Sequence, residues 1–211
     1  MVSINLRQPI KNYTGKKILT VNCQINEAEV LHLFGVSGSG KTTLLNLIAG
    51  FLRPVSGIIR VDGTTWFDSS AGVDLPVNRR RPGFVFQHYA LFQQMTVIGQ
   101  LRFASADELL NNRLIKMASL ESVRDCYPAR LSAGQQQRLA IIRALAAKPR
   151  LLLMDEPFSA LDEDTKTSFM DELQQFIQEY KMACIVASHN HAEMKELSTG
   201  RLDMAECLSQ V

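Results

Sequence analysis

The sequence has 211 residues, of which 46% are hydrophobic, and its formal net charge is +2. This length predicts one α/β core with an inserted subdomain and is too short for two such domains. The nearly balanced charge, without a basic stripe carrying interleaved aromatic residues, predicts no nucleic-acid partner.

The cysteines and the hydropathy pattern predict the compartment. Cys23, Cys126, Cys184 and Cys207 are scattered and form no C-x-x-C pair. We therefore expect reduced thiols in a cytosolic compartment and no zinc site. No window approaches the roughly 18 apolar residues that a membrane-spanning helix requires, and no secretory pattern opens the chain. Any contact with a membrane is expected to go through a partner.

Apolar runs and turn residues predict alternating strands and helices. The residues Asp62 and Gly63 are typical of a hairpin turn after one of the strands. The predicted strands are 18–25, Val30–Phe34, 58–61, 83–87, 151–156 and 183–187. The predicted helices are 42–49, 97–103, 106–117, one that opens at 131–135 and ends near 147, and 163–180.

The stretch 35–43 reads GVSGSGKTT and lies between the apolar run Val30–Phe34 and the helix at 42–49. Glycines allow successive backbone N–H groups to turn inward and surround phosphate groups at the positive end of the following helix. In this pattern Lys41 reaches the β- and γ-phosphates of a nucleotide, and the hydroxyl of Thr42 takes Mg²⁺. The alternative is a glycine-rich turn with a solvated lysine, and the strand before the loop and the helix after it disfavour that alternative.

Two adjacent carboxylates, Asp155 and Glu156, end the continuous apolar strand at 151–156. Unpaired buried charge is destabilising, so two acids at this point indicate a site. Near a phosphate loop, one such acid holds Mg²⁺ and its neighbour accepts a proton from an attacking water.

Polar residues also end two other predicted strands. Gln87 ends the strand at 83–87, and His189 follows the strand at 183–187. Ligands of open α/β folds bind at the carboxyl ends of strands. Gln87 is suited to hold water or a metal-bound ligand and His189 to donate to a γ-phosphate, although a single histidine is more often structural. We expect these strand ends to converge on one place.

Four other features have both a functional and a structural interpretation. Tyr13, in a polar loop, either stacks on an adenine ring or packs on a sheet edge. Ser132 is a candidate N-cap, and the helix start either receives phosphate or is simply capped. The arginines at 79–81 are predicted to be a solvated face, and Trp66 is predicted to belong to the core.

Taken in order, these stretches resemble the ATPase subunit of ATP-binding cassette (ABC) transporters. The resemblance rests on the phosphate loop, Gln87 after FVF, LSAGQ at 131–135, LLLMDEP at 151–157, SALD at 159–162 and Ser188-His189. It covers nearly the whole chain, and the serine-glycine-glutamine signature separates this family from other phosphate-loop NTPases. Within the family, VDGTTWFD at 61–68 and LPVNRRRPGFVFQ at 75–87 are similar to the molybdate and sulfate importer ATPases.

The resemblance implies an α/β fold in one domain spanning 1–211. The molybdate type often adds a regulatory oxyanion-binding domain at the C-terminus, and we expect none here because only 190–211 follow His189. This fold has a P-loop NTPase core of mainly parallel sheet with flanking helices, an antiparallel β subdomain and a small helical subdomain inserted at about 88–146. The resemblance also implies ATP and Mg²⁺ as ligands and a head-to-tail homodimer. Transmembrane permease subunits are the implied partners, and they would hold the chain at the cytosolic face of the cell membrane.

In this family each ATP lies between the phosphate loop of one subunit and the signature of the other. On the matching positions the resemblance implies that Glu156 is the general base, that His189 contacts the γ-phosphate, and that Thr42, Asp155 and Gln87 serve Mg²⁺. The implied nucleotide contacts are Tyr13, Gly35, Ser37, Gly38, Ser39, Gly40, Lys41, Thr42 and Thr43 on one subunit, and Ser132, Gly134, Gln135 and Asp162 on the other.

The sequence departs from the family pattern at Ala133, where glycine is usual, at Asn190, where aspartate commonly follows the histidine, and at Gln93, where proline is frequent. The predicted helical insertion is shorter than usual, and only 190–211 follow the histidine.

The resemblance favours one function, the energy-coupling ATPase of an importer of molybdate or a related oxyanion. The alternative is a soluble ABC-type ATPase that acts as an ATP-dependent dimerisation or regulatory module. Such relatives tend to carry long coiled coils or two cassettes, and this sequence predicts neither.

Overall fold

The computed structural model describes residues 1–12 and 15–210, and these form two sheets with helices. The strands are β1 (Val2–Asn12), β2 (Gly15–Ile25), β3 (Val30–Phe34), β4 (Ser56–Val61), β5 (Thr64–Asp68), β6 (Val73–Asp74), β7 (Gly83–Val85), β8 (Leu151–Asp155), β9 (Ala183–Ser188), β10 (Gly200–Asp203) and β11 (Leu208–Gln210). The helices are α1 (Lys41–Ala49), α2 (Val77–Arg80), α3 (Val97–Ala104), α4 (Glu108–Met117), α5 (Ala133–Ala146), α6 (Glu163–Glu179) and α7 (His191–Met194). Short 3₁₀ turns at Glu121–Val123 and Pro128–Arg130 precede α5.

One sheet is parallel and has the strand order β10-β3-β9-β8-β7. The strands β3, β8 and β9 read as apolar runs because both faces of the sheet are buried there. In β8, Leu151 and Leu153 point into one hydrophobic core, whereas Leu152 and Met154 point into the other. The carboxyl ends of β3, β8 and β9 lie side by side, since Phe34 pairs with Ser188 and Asp155 pairs with Ala187.

The other sheet is antiparallel and has the strand order β11-β2-β1-β4-β5-β6. β4 and β5 are joined by Asp62 and Gly63, which both have positive φ values of 47° and 75°, as a two-residue hairpin turn requires. Side chains of this sheet, of α1 and of one face of the parallel sheet form one core, which includes Trp66. The second core lies on the other face of the parallel sheet, under α3 to α6.

The last part of the chain contributes to both sheets. β10 pairs in parallel with β3, and β11 pairs antiparallel with β2. The sequence predicted no strand after 183–187, because these two strands are only four and three residues long. Strands this short carry too few alternations for a pattern to be recognised.

The predicted fold class is confirmed: a parallel sheet with flanking helices is combined with an antiparallel sheet, and α3, α4 and α5 lie between β7 and β8. Val30–Phe34 is a strand with the predicted bounds, and Trp66 lies in the core with 5% of its surface exposed. Among the described residues, no helix is both long enough and apolar enough to cross a bilayer.

The arginine run at 79–81 was predicted to be solvated, and this prediction is wrong for Arg80, which is 4% exposed. Its guanidinium donates to the carbonyls of Leu47 and Ile48 in the last turn of α1, at 3.2 and 2.8 Å. It also donates to the carbonyl of Leu75 at 2.7 Å and to the carboxylate of Asp74 at 2.9 Å. The three arginines are alike in the sequence, but only Arg80 is directed at a helix C-terminus that accepts a cation.

Candidate active site

The phosphate loop connects β3 to the first turn of α1. Gly40, the N-cap of α1, has φ 97° and ψ 12°, a left-handed conformation that glycine adopts without strain. Lys41, Thr42 and Thr43 follow directly as the first three residues of the helix. The free N–H groups of this first turn and the positive end of the helix dipole favour an anion at the loop.

Lys41 is buried, with only 7% of its surface exposed. Its ammonium group donates to the carbonyl of Gly35 at 2.7 Å and to that of Val36 at 3.3 Å. The Oε1 atom of Glu156 lies 3.8 Å from the same nitrogen. The charge of Lys41 is therefore held inside the curve of the loop, close to an acid from β8.

Thr42 and Asp155 are joined across the two elements. The hydroxyl of Thr42 donates to Oδ2 of Asp155 at 2.6 Å. Burial raises the pKa of Asp155 above its ordinary value, and the nearby charge of Glu156 adds to this shift, whereas the bond from Thr42 and the charge of Lys41 oppose it. A hydroxyl and a carboxylate oxygen beside a phosphate loop are ligands that suit Mg²⁺.

Glu156 has a positive φ of 48°, which is uncommon for a residue with a side chain. Its backbone N–H donates to the carbonyl of Ala187 in β9 at 2.9 Å, and its Oε1 atom lies 3.0 Å from Nδ1 of His189. Glu156 is 13% exposed at its side chain, whereas His189 is 67% exposed. The carboxylate thus lies between a buried lysine and an exposed histidine.

A cavity of about 920 Å³ opens at these strand ends. The predicted site residues that line it are Gly35, Ser37, Gly38, Gly40, Lys41, Thr42, Thr43, Gln87, Asp155, Glu156 and His189. Sequence reasoning did not predict that Ile10, Phe34, Val36 and Ser159 also line it. Ile10 is brought there by the β1–β2 pairing, which no local motif signals.

Ser39 is not among the residues that line this cavity, although it was predicted with the rest of the loop. Its side chain is 7% exposed, and it lines a second cavity, of about 440 Å³, on the other side of the loop. The hydroxyl of Ser39 is turned toward Gly35, where an added Cβ would lie 2.5 Å from Oγ, and the loop sequence alone does not specify this direction. Tyr13 lies outside the described residues.

The signature residues lie at the start of α5, and they are not among the residues that line the large cavity. Ser132 accepts from the N–H of Gln135 at 3.2 Å, and the side chain of Gln135 accepts from the N–H of Ser132 at 2.9 Å, which together form a capping box. A Cβ added to Gly134 would lie 3.1 Å from the carbonyl of Ala160. Asp162 caps α6 by accepting from the N–H of Thr165 at 3.0 Å, and this backbone hydrogen bond lowers its pKa.

These contacts define a phosphate-loop nucleotide-binding protein with a strand-end acid pair. A family model described as "ABC transporter" matches residues 18–159, and the chain belongs to this family. It is 42% identical, over 80% of its length, to the molybdenum import ATP-binding protein ModC of Paramagnetospirillum magneticum, of which it covers 48%. It is 37% identical over its whole length to the sulfate/thiosulfate import ATP-binding protein CysA of Escherichia coli K12, of which it covers 61%. The chain therefore spans about half to three fifths of these curated relatives.

Solved structures give the same likeness. A dimeric ATP-binding cassette in a post-hydrolysis state, bound to ADP and phosphate, has a TM-score of 0.78 and 31% identity, with 96% of this chain and 94% of that chain covered. A dimeric bacterial ABC transporter cassette has a TM-score of 0.76 and 30% identity, with coverages of 97% and 95%.

Proposed function

We propose that this chain binds ATP and hydrolyses it to ADP and phosphate as the energy-coupling subunit of a membrane importer. The observation that carries the proposal is the convergence of Lys41, Thr42, Asp155, Glu156 and His189 on one cavity beside a helix N-terminus. The import ATP-binding proteins among its relatives support the coupling to import.

In this proposal the phosphate groups bind at the start of α1. Lys41 pairs with the β- and γ-phosphates, because its buried ammonium already lies within the loop. The first-turn hydroxyl of Thr43 binds the α-phosphate. Thr42 and Asp155, with Gln87 at the cavity wall, would hold Mg²⁺. When bound, the ion neutralises charge on the phosphate oxygens.

Glu156 acts as the general base in the proposed hydrolysis. The oxygen of a water molecule attacks the γ-phosphorus while the water proton passes to the Glu156 carboxylate. The bond between the γ-phosphorus and the bridging oxygen breaks, and ADP leaves with the electron pair. The contact with His189 orients the carboxylate, and the exposed imidazole is suited to donate to a γ-phosphate oxygen.

The signature residues are proposed to act on the ATP of a second copy of the chain. Ser132, Gly134 and Gln135 lie at a helix start that does not line the chain's own cavity, and Asp162 caps the neighbouring helix. The dimeric form of two similar solved cassettes supports a head-to-tail homodimer. Adenine stacking on Tyr13 stays part of the proposal.

The proposed permease partner docks on a partly exposed aromatic cluster, in which Phe51 and Phe86 are exposed and Phe84 packs against the core. The rings of Phe51 and Phe84 lie 5.2 Å apart and those of Phe84 and Phe86 lie 4.4 Å apart. Phe51 is 45% exposed and Phe86 is 36% exposed, beside the segment that leads to Gln87. Such a partner would hold the chain at the cytosolic side of the membrane. Molybdate or a related oxyanion is the proposed cargo, because ModC and CysA proteins are similar to the chain.

The function is tested by ATP turnover and ATP-induced dimerisation of the wild type and Glu156→Gln. Loss of the base is expected to lower kcat about 10²–10⁴-fold, with ATP binding retained and a stable ATP dimer formed. Glu172→Gln on the exposed side of α6 is the matched control and should behave like the wild type. A wild type that neither hydrolyses ATP nor dimerises, with candidate permease subunits present, would contradict the proposal. Transport of molybdate, measured in vesicles that hold chain and permease, tests the cargo.

A further inference from the structure

The side chain of Gln137 in α5 connects the signature helix to the acid loop of the same chain. Gln137 is 1% exposed, so its amide must be satisfied inside the protein. Nε2 donates to the backbone carbonyl of Glu156 at 2.9 Å, and Oε1 accepts from the backbone N–H of Ala160 at 2.8 Å. Both ends of one amide thus hold the backbone that carries the proposed general base.

The backbone of Glu156 needs such support because its φ of 48° is a conformation that side chains rarely adopt. The N–H of Glu156 is fixed by the carbonyl of Ala187 in β9 at 2.9 Å. Its carbonyl is fixed by Gln137, with a second donor in the hydroxyl of Ser159 at 3.1 Å. Rotation of this peptide would carry the carboxylate away from Lys41 and His189, so its direction depends on these bonds.

Ala160 is a second point of contact between the same two segments. Its N–H donates to Gln137, while its carbonyl lies 3.1 Å from the position that a Cβ on Gly134 would take. Gly134 and Gln137 are three residues apart in α5 and therefore lie on the same side of the helix. The start of α5 and the segment from Glu156 to Ala160 consequently contact each other along one helix face.

We propose that Gln137 is a positioning residue that holds the Glu156 carboxylate in its orientation and ties it to the signature helix. The inference rests on the function proposed above, in which Glu156 serves one ATP of the dimer while Ser132 and Gly134 serve the other. Within one chain, Gln137 then links Glu156, which serves one ATP of the dimer, to the helix whose residues serve the other ATP. It acts through the backbone of Glu156.

The test compares Gln137→Met with the wild type and with a matched control. Methionine has nearly the same length and volume as glutamine, but its side chain neither donates nor accepts a strong hydrogen bond. We expect kcat to fall about 10- to 100-fold with KM changed less than about twofold, because the base is misdirected while the phosphate loop is intact. Gln100→Met is the control, since Gln100 is 0% exposed and its amide contacts the backbone N–H and carbonyl of Phe92 at 3.3 and 3.4 Å. It should lower thermal stability similarly and leave basal kcat near the wild-type value.

A double-mutant cycle with Glu156→Gln separates positioning from general structural damage. If Gln137 acts through the Glu156 carboxylate, Gln137→Met should add no further loss to the single-turnover rate once that carboxylate is gone. A loss by the same factor in both backgrounds would overturn the inference. Gln137→Asn, whose amide is one methylene too short to reach both backbone atoms, gives the same test if the methionine variant does not fold.

The outcomes also separate this inference from the proposed function. An inactive wild type would contradict ATP hydrolysis itself, and the role of Gln137 with it. An active wild type with Gln137→Met as active as Gln100→Met would overturn only the role of Gln137.

Discussion

The candidate site has a strand-end half, formed by Lys41, Thr42, Asp155, Glu156 and His189, and a signature half, formed by Ser132, Gly134, Gln135 and Asp162. These two halves are built differently. In the strand-end half, side chains from separate elements contact one another: Thr42 of α1 bonds to Asp155 of β8, and Glu156 lies against His189 after β9. In the signature half, Ser132 and Asp162 accept hydrogen bonds from the N–H groups three residues later in their own helices. The first half is organised by the packing of the sheet, and the second by local helix capping.

Because of this difference, we expect the strand-end half to act within one chain and the signature half to act between two chains. The strand-end half brings the residues proposed to bind phosphate, to bind the metal ion and to accept the proton to one cavity within a single chain. The signature half presents a capped helix start outside that cavity, and under the proposed function it would contact the nucleotide of a second copy. Substitutions in the first half should act at any protein concentration, whereas those in the second half should act through the dimer.

Lys41→Ala should break the strand-end half with the largest effect. Loss of the buried ammonium at the proposed phosphate site should weaken ATP binding by about 10²-fold or more. The measurement is ATP affinity by calorimetry. Lys116→Ala, at an exposed lysine of α4, is the control and should bind ATP normally. Unchanged affinity in Lys41→Ala would place the phosphates elsewhere.

Arg80→Met should destabilise α1, the helix that carries Lys41 and Thr42 of the strand-end half. The guanidinium is fully buried, and its loss leaves the carbonyls of Leu47 and Ile48 without this donor. Asp74 also loses its bond to Arg80, although Arg53 lies 3.3 Å from its other carboxylate oxygen. We expect a loss of about 2–4 kcal/mol in unfolding free energy. Urea unfolding measures it.

The neighbouring Arg79 provides the control for this prediction. Arg79 is exposed, so Arg79→Met should change stability by less than about 0.5 kcal/mol. If both variants lose the same stability, the burial of Arg80 is not the cause.

Arg80 also shows the limit of prediction from sequence. The parallel strands were predictable because Val30–Phe34, 151–156 and 183–187 are buried on both faces and read as apolar runs. Which of three adjacent arginines is buried depends on the approach of α1 and its C-cap Gly50, which only the folded chain sets. A Cβ on Gly50 would lie 2.8 Å from the Arg80 guanidinium.

Strand β1 was not predicted from the sequence. Its inward residues Val2, Ile4 and Leu6 alternate as a strand requires, but Pro9 interrupts the pattern. β4 pairs only with residues 2–7 of β1, so the proline, which has no N–H to donate, lies beyond that pairing. In the candidate site, the strand-end residues were predictable from motifs, whereas the role of Gln137 depends on tertiary contacts that no local pattern signals.

Ser132→Ala should break the signature half while leaving the strand-end half intact. Loss of the N-cap should cost about 1 kcal/mol of stability. Thr96→Ala removes the N-cap of α3, which accepts from Gly99 at 3.2 Å, and should cost about the same. Only Ser132→Ala should also reduce turnover, by about tenfold, with ATP affinity of the monomer unchanged. Equal turnover in the two variants would mean that Ser132 is only a cap.

Asp155→Asn should change stability in the opposite direction from Ser132→Ala. Burial raises the pKa of Asp155, so the folded chain binds this proton more tightly than the unfolded chain. The stability gained is present below the ordinary value near 3.8 and is lost as the pH rises through the raised value. At pH 7 the charged carboxylate therefore opposes folding, and Asp155→Asn should raise Tm by a few degrees in protein without nucleotide while abolishing turnover.

The exposed Asp171 of α6 gives the control, because Asp171→Asn should leave Tm and turnover unchanged. A lower Tm for Asp155→Asn would mean that the contacts of the carboxylate with Thr42 and Lys41 outweigh its burial. A higher Tm would mean that the fold keeps a destabilising charge at the end of β8, as the proposed Mg²⁺ site requires. Ser132, the N-cap of the signature half, carries no such charge, so its replacement is expected to lower stability. The opposite signs of the two stability changes would then distinguish a site assembled by the sheet from one assembled by a helix cap.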